Sequence, residues 1–364
     1  MKKLLLPLVA LSLISLTACP QKEELEHITY GTYIHEGALD IHLDELENKL
    51  EGWEKKENFL LCIYPSKSAM PCGCWVNFSK VIDQYVVKYD TVIYKMTVDE
   101  VPNAKKQKLI DKGFTISDKN QPYFYIVKDG QVLKEFIYSE SDMFKKCGAL
   151  HDEVNKHIKD PNIIQIDQNI LDNDIFEERK EILVYYTWSF CPDCQNSSPN
   201  VVWPYANTHD LNKKLYYIDI GELTGYNPNA EPGHQYDNFN KSNPEYVTFL
   251  ADHHMSNTKN TTFGYDRGFV PTIQYWKNGE VKDMTVYFND AVGKIGDDWA
   301  ITRSYYTETR KQYLKYTDAV LEGRILTADE IVISQDGTSA SMTKETQEKL
   351  HKPILNAFLE MYLK

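Results

Sequence analysis

The chain has 364 residues but no long basic stretch: 40 Lys and Arg face 53 Asp and Glu, for a formal net charge of −13. Phosphate backbones are held by clustered cations, so nucleic acid is excluded as a principal partner. Nor does any apolar run reach the roughly 20 residues that cross a bilayer as a helix. Glycine and proline are few, 17 and 15, while hydrophobic residues make up 42%. That balance excludes a disordered or low-complexity chain and leaves a globular one, long enough for two domains of ordinary size. Cysteine is scarce as well, with seven in all. One C-x-x-C is present, Cys191 and Cys194, and no second one follows at zinc-finger spacing. His234, His253 and His254 are the neighbours that complete a zinc site on paper, but they fall in an Asn- and Gly-rich stretch, and no metal is expected there.

What is present begins at the amino terminus. Lys2 and Lys3 precede an apolar stretch from Leu4 to Leu16, the length of a signal-peptide core. It ends in Leu16-Thr17-Ala18-Cys19, which resembles the lipobox of bacterial lipoproteins. The resemblance implies that residues 1–18 are a signal peptide and that Cys19 becomes the lipidated amino terminus. It implies a location in the bacterial cell envelope, with acyl chains holding the protein to a membrane and the rest facing the periplasm or exterior. Disulfides persist there. Loss of Lys2 and Lys3 takes the formal charge from −13 to −15. Six cysteines remain, Cys62, Cys72, Cys74, Cys147, Cys191 and Cys194, and an even number suits disulfide chemistry.

The rest of the chain runs through one order of elements twice. In the first half a helix over residues 43–55 precedes a buried strand over 58–64, followed by Pro71-Cys-Gly-Cys-Trp75. A helix (77–89), a strand (91–99) and a Lys-rich helix (104–112) come next. Pro122 opens a hairpin over 121–138 with an Asp129-Gly130 turn, and a helix over 141–158 closes the half. Its one face carries Phe144, Cys147, Leu150 and Val154. The second half repeats this with a helix (168–180), a strand (182–187), the C-x-x-C, a helix (195–207), a strand (215–220) and a hairpin over 264–281. A final amphipathic helix places Leu350, Ile354, Phe358 and Met361 near helical spacing.

This order resembles the thioredoxin fold. The motifs that carry the resemblance are Cys191-Pro192-Asp193-Cys194 between strand and helix, Pro199 five residues beyond, and Val270-Pro271-Thr272 at the head of the hairpin strand. It implies an α/β protein of two thioredoxin-like domains, each a central mixed β-sheet flanked by helices. The first covers residues 19–160 with its C-x-C, and the second covers 161–364 with insertions at about 225–262 and 290–343. Thiol–disulfide exchange needs a thiolate, and the start of a helix favours one through its unpaired N–H groups and dipole. Cys191 is therefore the expected nucleophile and Cys194 the resolving thiol. The resemblance adds a cis Pro271 facing the pair, with Val270 backbone atoms pairing with an extended substrate. Two positions depart from the family: Tyr185 stands where a buried Asp is usual, and Phe190 stands where a Trp precedes the first Cys. Asp193 puts a negative charge beside the nucleophile and is expected to moderate the thiolate, giving a mild redox couple.

The first half has Cys72-Gly73-Cys74 in the corresponding loop and Pro122 at the corresponding hairpin. Three readings stand: a second redox centre exchanging electrons with Cys191 and Cys194, a Cu(I) site with Met70 beside two thiolates, or structural remnants. Cys62 and Cys147 fall on apolar faces and are expected in the core. The 225–262 insertion either shapes a substrate groove beside Pro271 or decorates the surface. Tyr305, Tyr306, Tyr313 and Tyr316 are expected on a helix face against the sheet. Together these readings point to a cell-envelope thiol–disulfide oxidoreductase that needs no cofactor beyond its redox-active disulfide. Its partners are exported proteins with thiols or disulfides and a membrane electron donor or acceptor. The alternative is a non-enzymatic envelope lipoprotein that uses the fold for binding or copper handling.

Overall fold

The computed structural model describes residues 25–29, 31–32, 37–51, 57–65, 73–116, 121–175, 181–227, 230, 234–235, 237–255, 258–260, 264–266, 270–286, 290–303 and 321–364. The signal peptide, Cys19, Met70, Cys72 and the four tyrosines between 305 and 316 lie outside the described residues.

The first half contains β1 (Gly31–Thr32), β2 (Leu39–Asp40), α1 (Leu43–Glu51), β3 (Phe59–Tyr64), α2 (Gly73–Tyr89), β4 (Ile93–Thr97), α3 (Asn103–Asp111), β5 (Tyr123–Lys128), β6 (Gln131–Ile137) and α4 (Cys147–Val154). Five strands form a mixed sheet in the order β2-β4-β3-β5-β6, with β2, β4 and β3 parallel and the β5–β6 hairpin antiparallel. Every position of β3 is buried because both faces of the sheet are covered, which is why the strand reads as an unbroken apolar run. Alternation then sorts its side chains. Leu60 and Cys62 pack with Phe78 and Ile82 of α2, while Phe59, Leu61 and Ile63 pack with Leu46 of α1 and Leu109 of α3. The Asp129-Gly130 turn has positive φ at both residues, 52° and 70°, as a tight hairpin turn requires.

The second half contains β7 (Ile163–Gln165), β8 (Glu181–Thr187), α5 (Pro192–Ser197), α6 (Trp203–Thr208), β9 (Leu215–Asp219), α7 (Pro244–Asp252), β10 (Thr258–Asn260), β11 (Gly264–Asp266), β12 (Thr272–Lys277) and β13 (Glu280–Val286). It ends with β14 (Ala291–Ile295), β15 (Asp298–Arg303), β16 (Ile331–Ile333), β17 (Ala340–Met342) and α8 (Lys344–Leu363). The central sheet runs β1-β7-β9-β8-β12-β13, with β12 antiparallel to both of its neighbours and the other strands running one way. The same strand order thus occurs twice, each time as a mixed sheet with helices on its faces.

Three features differ from the expectation. The helix after the C-x-x-C starts at Pro192, three residues earlier than the periodicity places it, and passes through a π-helical turn, Ser198–Val202, at Pro199 before α6. Proline supplies no N–H and disturbs the regular ladder, which accounts for the wider turn there. In α8 the buried stripe is Ile354, Leu355, Phe358, Leu359 and Leu363, so Met361 turns outward. Within the 290–343 insertion, where a helix carrying the four tyrosines is the element read from the sequence, the described residues add two hairpins, β14–β15 and β16–β17, and Ile301, Ile331 and Met342 pack on Ile354 of α8.

The segment leading into β1 ties the halves together. Its strand pairs with β7 of the second sheet, although it precedes the first sheet in the chain. Glu26 accepts from Asn58 and pairs with Lys128 of the first half, while the N–H of Ile28 donates to the Lys159 carbonyl and His27 Nδ1 lies 2.6 Å from the Asp160 carbonyl oxygen.

Candidate active site

Cys191 follows β8 and caps α5 from an extended conformation, φ −80° and ψ 123°, with Pro192 in the first helical position. Proline suits that place because its missing N–H would be unsatisfied there anyway. As a thiol, Cys191 donates to the Val270 carbonyl oxygen at 3.2 Å. The Val270–Pro271 peptide is cis, the cis bond among the described residues. Cys191, Cys194, Val270 and Pro271 are therefore brought to one place, with both cysteines as free thiols.

The two sulfurs are in unequal surroundings. Cys191 is half-buried and its pKa lies below the ordinary thiol value. The main cause is the Cys194 thiol, which donates to the Cys191 thiolate; the N–H groups of Cys194 and Asp193 add to it, against burial and the Asp193 charge. Cys194 is buried and pushed well above the ordinary value, first by that burial and then by its hydrogen bond to Cys191 and the charge there. Its sulfur accepts from the Trp188 N–H at 3.3 Å, and the Thr187 hydroxyl also favours its thiolate. A reactive outer thiol and a protected inner one result.

The site extends to residues that spacing alone did not single out. Tyr185, in place of the buried Asp, hydrogen-bonds Ser198 at 2.7 Å and Ser197 at 3.2 Å. Burial raises its pKa, so it stands near Cys194 as a neutral hydroxyl. Asp219 at the end of β9 accepts from the N–H groups of Ser189 and Gly221, fixing the loop before Cys191. Trp188 stacks on Phe239 with centroids 5.7 Å apart and carries Lys241 over its ring, while exposed Phe190 meets Tyr226. These partners come from the 225–262 insertion, whose α7 sets Tyr246 in the buried cluster with Cys194, Val270 and Cys191. The insertion is thus part of the wall around the cysteines, and the decoration reading does not describe it. A cavity of about 870 Å³ between the halves is lined by Leu39 and Tyr94 from the first and Asp219, Leu223, Glu245 and Thr248 from the second, with neither cysteine on its wall.

His253 is buried, with Nδ1 2.9 Å from the Tyr186 hydroxyl and Nε2 3.0 Å from Asp172, and His234 pairs with Asp237. Among the described residues no group of three or more His, Cys, Asp or Glu is arranged to hold a metal. In the first half Cys74 opens α2 and is disulfide-bonded, with its partner outside the described residues. Pro122 is buried ahead of β5, and the Gln121–Pro122 bond is not among the cis bonds of the described residues. The two hairpin prolines therefore differ. Cys62 is fully buried and Cys147 half-buried, both in the first core, and burial raises both thiols.

The strand order, the helix placement and the cysteine pair facing a cis-proline loop define a protein of two thioredoxin-like domains. No family model and no curated protein sequence matches the chain. Among solved structures it is similar to the bb fragment of ERp72, at 12% identity over 67% of this chain and 87% of that one, TM-score 0.29. It is similar to human ERp44 in its zinc-bound form, at 12% identity over 50% of this chain and 45% of that one, TM-score 0.23. A third match comes from a structure on the thiol-resolving mechanism of yeast mitochondrial 1-Cys peroxiredoxin via glutathione/thioredoxin systems, at 21% identity over 33% of this chain and 94% of that one, TM-score 0.22.

The thiol environments make a direct prediction. Because the Cys191 pKa is lowered and the Cys147 pKa raised, iodoacetamide at pH 7 should modify Cys191 at least about tenfold faster than Cys147. The Cys191 rate should rise with pH through its lowered pKa and level off earlier than that of an ordinary thiol. Peptide mapping by mass spectrometry reads both sites in one sample.

Proposed function

We propose that the chain is a cell-envelope thiol–disulfide oxidoreductase acting on exported proteins through Cys191 and Cys194. The observation that carries this is the Cys191 sulfur at a helix start, 3.2 Å from the Val270 carbonyl, with a buried Cys194 behind it. The Cys191 thiolate attacks one sulfur of a substrate disulfide, forming a mixed disulfide and expelling the other substrate sulfur as a thiolate that takes up a proton. Cys194 then gives up its proton and attacks the Cys191 sulfur. The bond to the substrate breaks, the second substrate thiol leaves, and the chain is left with a Cys191–Cys194 disulfide. Two electrons have passed from the chain to the substrate, and a dithiol donor restores the starting state; the reverse sequence oxidises a substrate dithiol.

The segment around Cys191 is shaped for an extended polypeptide: Val270 offers its backbone, and Phe190, Trp188 and Tyr226 line the approach. With Cys19 lipidated, the protein works at a membrane surface and exchanges electrons with a membrane donor or acceptor. The disulfide-bonded state of Cys74 favours the reading of Cys72 and Cys74 as a second exchangeable bond over a thiolate copper site.

Insulin reduction with dithiothreitol as the reductant tests the core of the proposal. The wild type should accelerate it and Cys191→Ser should fall to the uncatalysed rate. Equal acceleration by both proteins removes the oxidoreductase reading and leaves a binding protein.

A further inference from the structure

The residue between the cysteines that is not proline reaches out of its own loop. Asp193 Oδ1 accepts a hydrogen bond from Gln347 Nε2 at 3.0 Å, and Gln347 belongs to α8, 154 positions away in the chain. Gln347 is 2% exposed, so this is a built contact inside the protein and not a surface encounter. One turn further along the same face, His351 Nε2 lies 3.1 Å from Asp290 Oδ2, and both side chains are completely buried. Asp290 is the residue from which the 290–343 insertion departs. The N-cap of α8 is held by Thr343, whose hydroxyl accepts from the Thr346 N–H at 3.1 Å, so the helix start that presents Gln347 is fixed.

Ordinary packing does not call for this arrangement. A half-buried carboxylate, a buried amide and a buried histidine–carboxylate pair are expensive to desolvate, and apolar residues of the same volume would fill the space at lower cost. The groups converge on the one charged side chain inside the C-x-x-C.

On the redox reading given above, we propose that Gln347 is a positioning residue for the reaction: it holds the Asp193 carboxylate ionised beside Cys191, and α8, braced by the His351–Asp290 pair, thereby restrains the reactivity of the nucleophile. The sign follows from the charges. Burial raises the Asp193 pKa above its ordinary value, and the Gln347 amide first, then His351 and Lys344 of α8, draw it back toward the carboxylate. A carboxylate at that position opposes a second negative charge on Cys191. Gln347, His351 and Lys344, which bear on Asp193 from outside its own loop, lie on α8. Loosening them neutralises Asp193 at higher pH and releases Cys191 to ionise more readily in the acidic range.

The test is the pH dependence of Cys191 alkylation in the full chain, read by mass spectrometry on the Cys191 peptide. Gln347→Met keeps the volume and removes the amide. It should raise the Cys191 rate about threefold between pH 5 and 6.5, and Asp193→Asn should raise it at least as much. In the Asp193→Asn background, Gln347→Met should change nothing further, because the charge it controls is gone. A structural role alone would move both backgrounds equally, and that result overturns the proposal, as does an unchanged profile in Gln347→Met. A second measurement needs no change in α8: the wild-type profile should carry an acidic inflection from the Asp193 carboxyl that Asp193→Asn abolishes, and a profile identical in the two also overturns it. Insulin reduction by the wild type separates this inference from the one beneath it. Wild-type activity with no coupling between Asp193 and Gln347 removes only the role of Gln347, whereas a wild type that does not accelerate the reaction removes the oxidoreductase reading itself.

Discussion

Replacing Cys194 by serine should stop turnover with the substrate still attached. Attack needs only Cys191, which is half-buried and has a lowered pKa, so the first half of the exchange proceeds. Release needs a second thiolate within reach of the Cys191 sulfur, and among the described residues Cys194 occupies that place. Its high pKa means the proton must be lost as the attack occurs. The developing charge is received by the Trp188 N–H, 3.3 Å from the sulfur, and by the Thr187 hydroxyl. Tyr185 offers only a neutral hydroxyl where an acid–base group is usual in the family, so these two donors carry the step. A serine hydroxyl forms no disulfide, and steady-state insulin reduction should fall roughly a hundredfold or more. Non-reducing gels of Cys194→Ser should show a mixed disulfide that dithiothreitol dissolves, while the Cys191→Ser/Cys194→Ser pair shows none. Unimpaired turnover in Cys194→Ser would assign release to another sulfur, with Cys74 the first to examine.

The second large effect falls far from the sulfurs. A methyl group on Gly31 would sit well inside contact distance of the Asp90 carbonyl oxygen and 2.8 Å from Pro161 Cγ. One obstacle is backbone at the end of α2 and the other opens the second half, so neither yields as a flexible side chain tip does. Gly31→Ala should therefore cost about 3 kcal/mol, either by detaching β1 from β7 or by shifting the turn after α2. For a domain of this size that corresponds to a fall of about 8 °C in the unfolding midpoint. Calorimetry checks it, and a midpoint within about 1 °C of the wild type would show that the junction is not closed at this residue. Cys191 alkylation should be unaffected, because the substitution lies at the other end of the sheet.

Much of the fold was legible because its signals are local. β3 and β8 are apolar runs buried on both faces, and the Asp129-Gly130 turn needs residues that tolerate positive φ. That Cys191 begins a helix could be read from the proline after it. What escaped is carried by contacts between distant parts of the chain. Tyr246 comes to the cysteines from α7, Gln347 comes to Asp193 from α8, and β1 crosses to a sheet whose other strands lie over 130 positions later. No spacing rule connects such pairs. The hairpins of the 290–343 insertion escaped for a different reason: β14–β15 and β16–β17 have too few residues to show a period, and Ile331, Ile301 and Met342 gain meaning only against Ile354. Trp188 meets Cys194 through its backbone N–H, which any residue there except proline would carry, so that contact left no mark in the sequence.

The joint around His27 has a directional consequence. His27 bridges Lys159 and donates its N–H to the Asn207 carbonyl, all at the beginnings of the parallel strands. Cys191 stands just past the finish of β8, a strand of seven residues that spans on the order of 20 Å. His27 and the sulfur pair therefore lie at opposite ends of the second sheet. A partner that meets the Cys191 sulfur thus meets the end of that sheet away from the His27 joint, and the contacts of that joint stay clear of it.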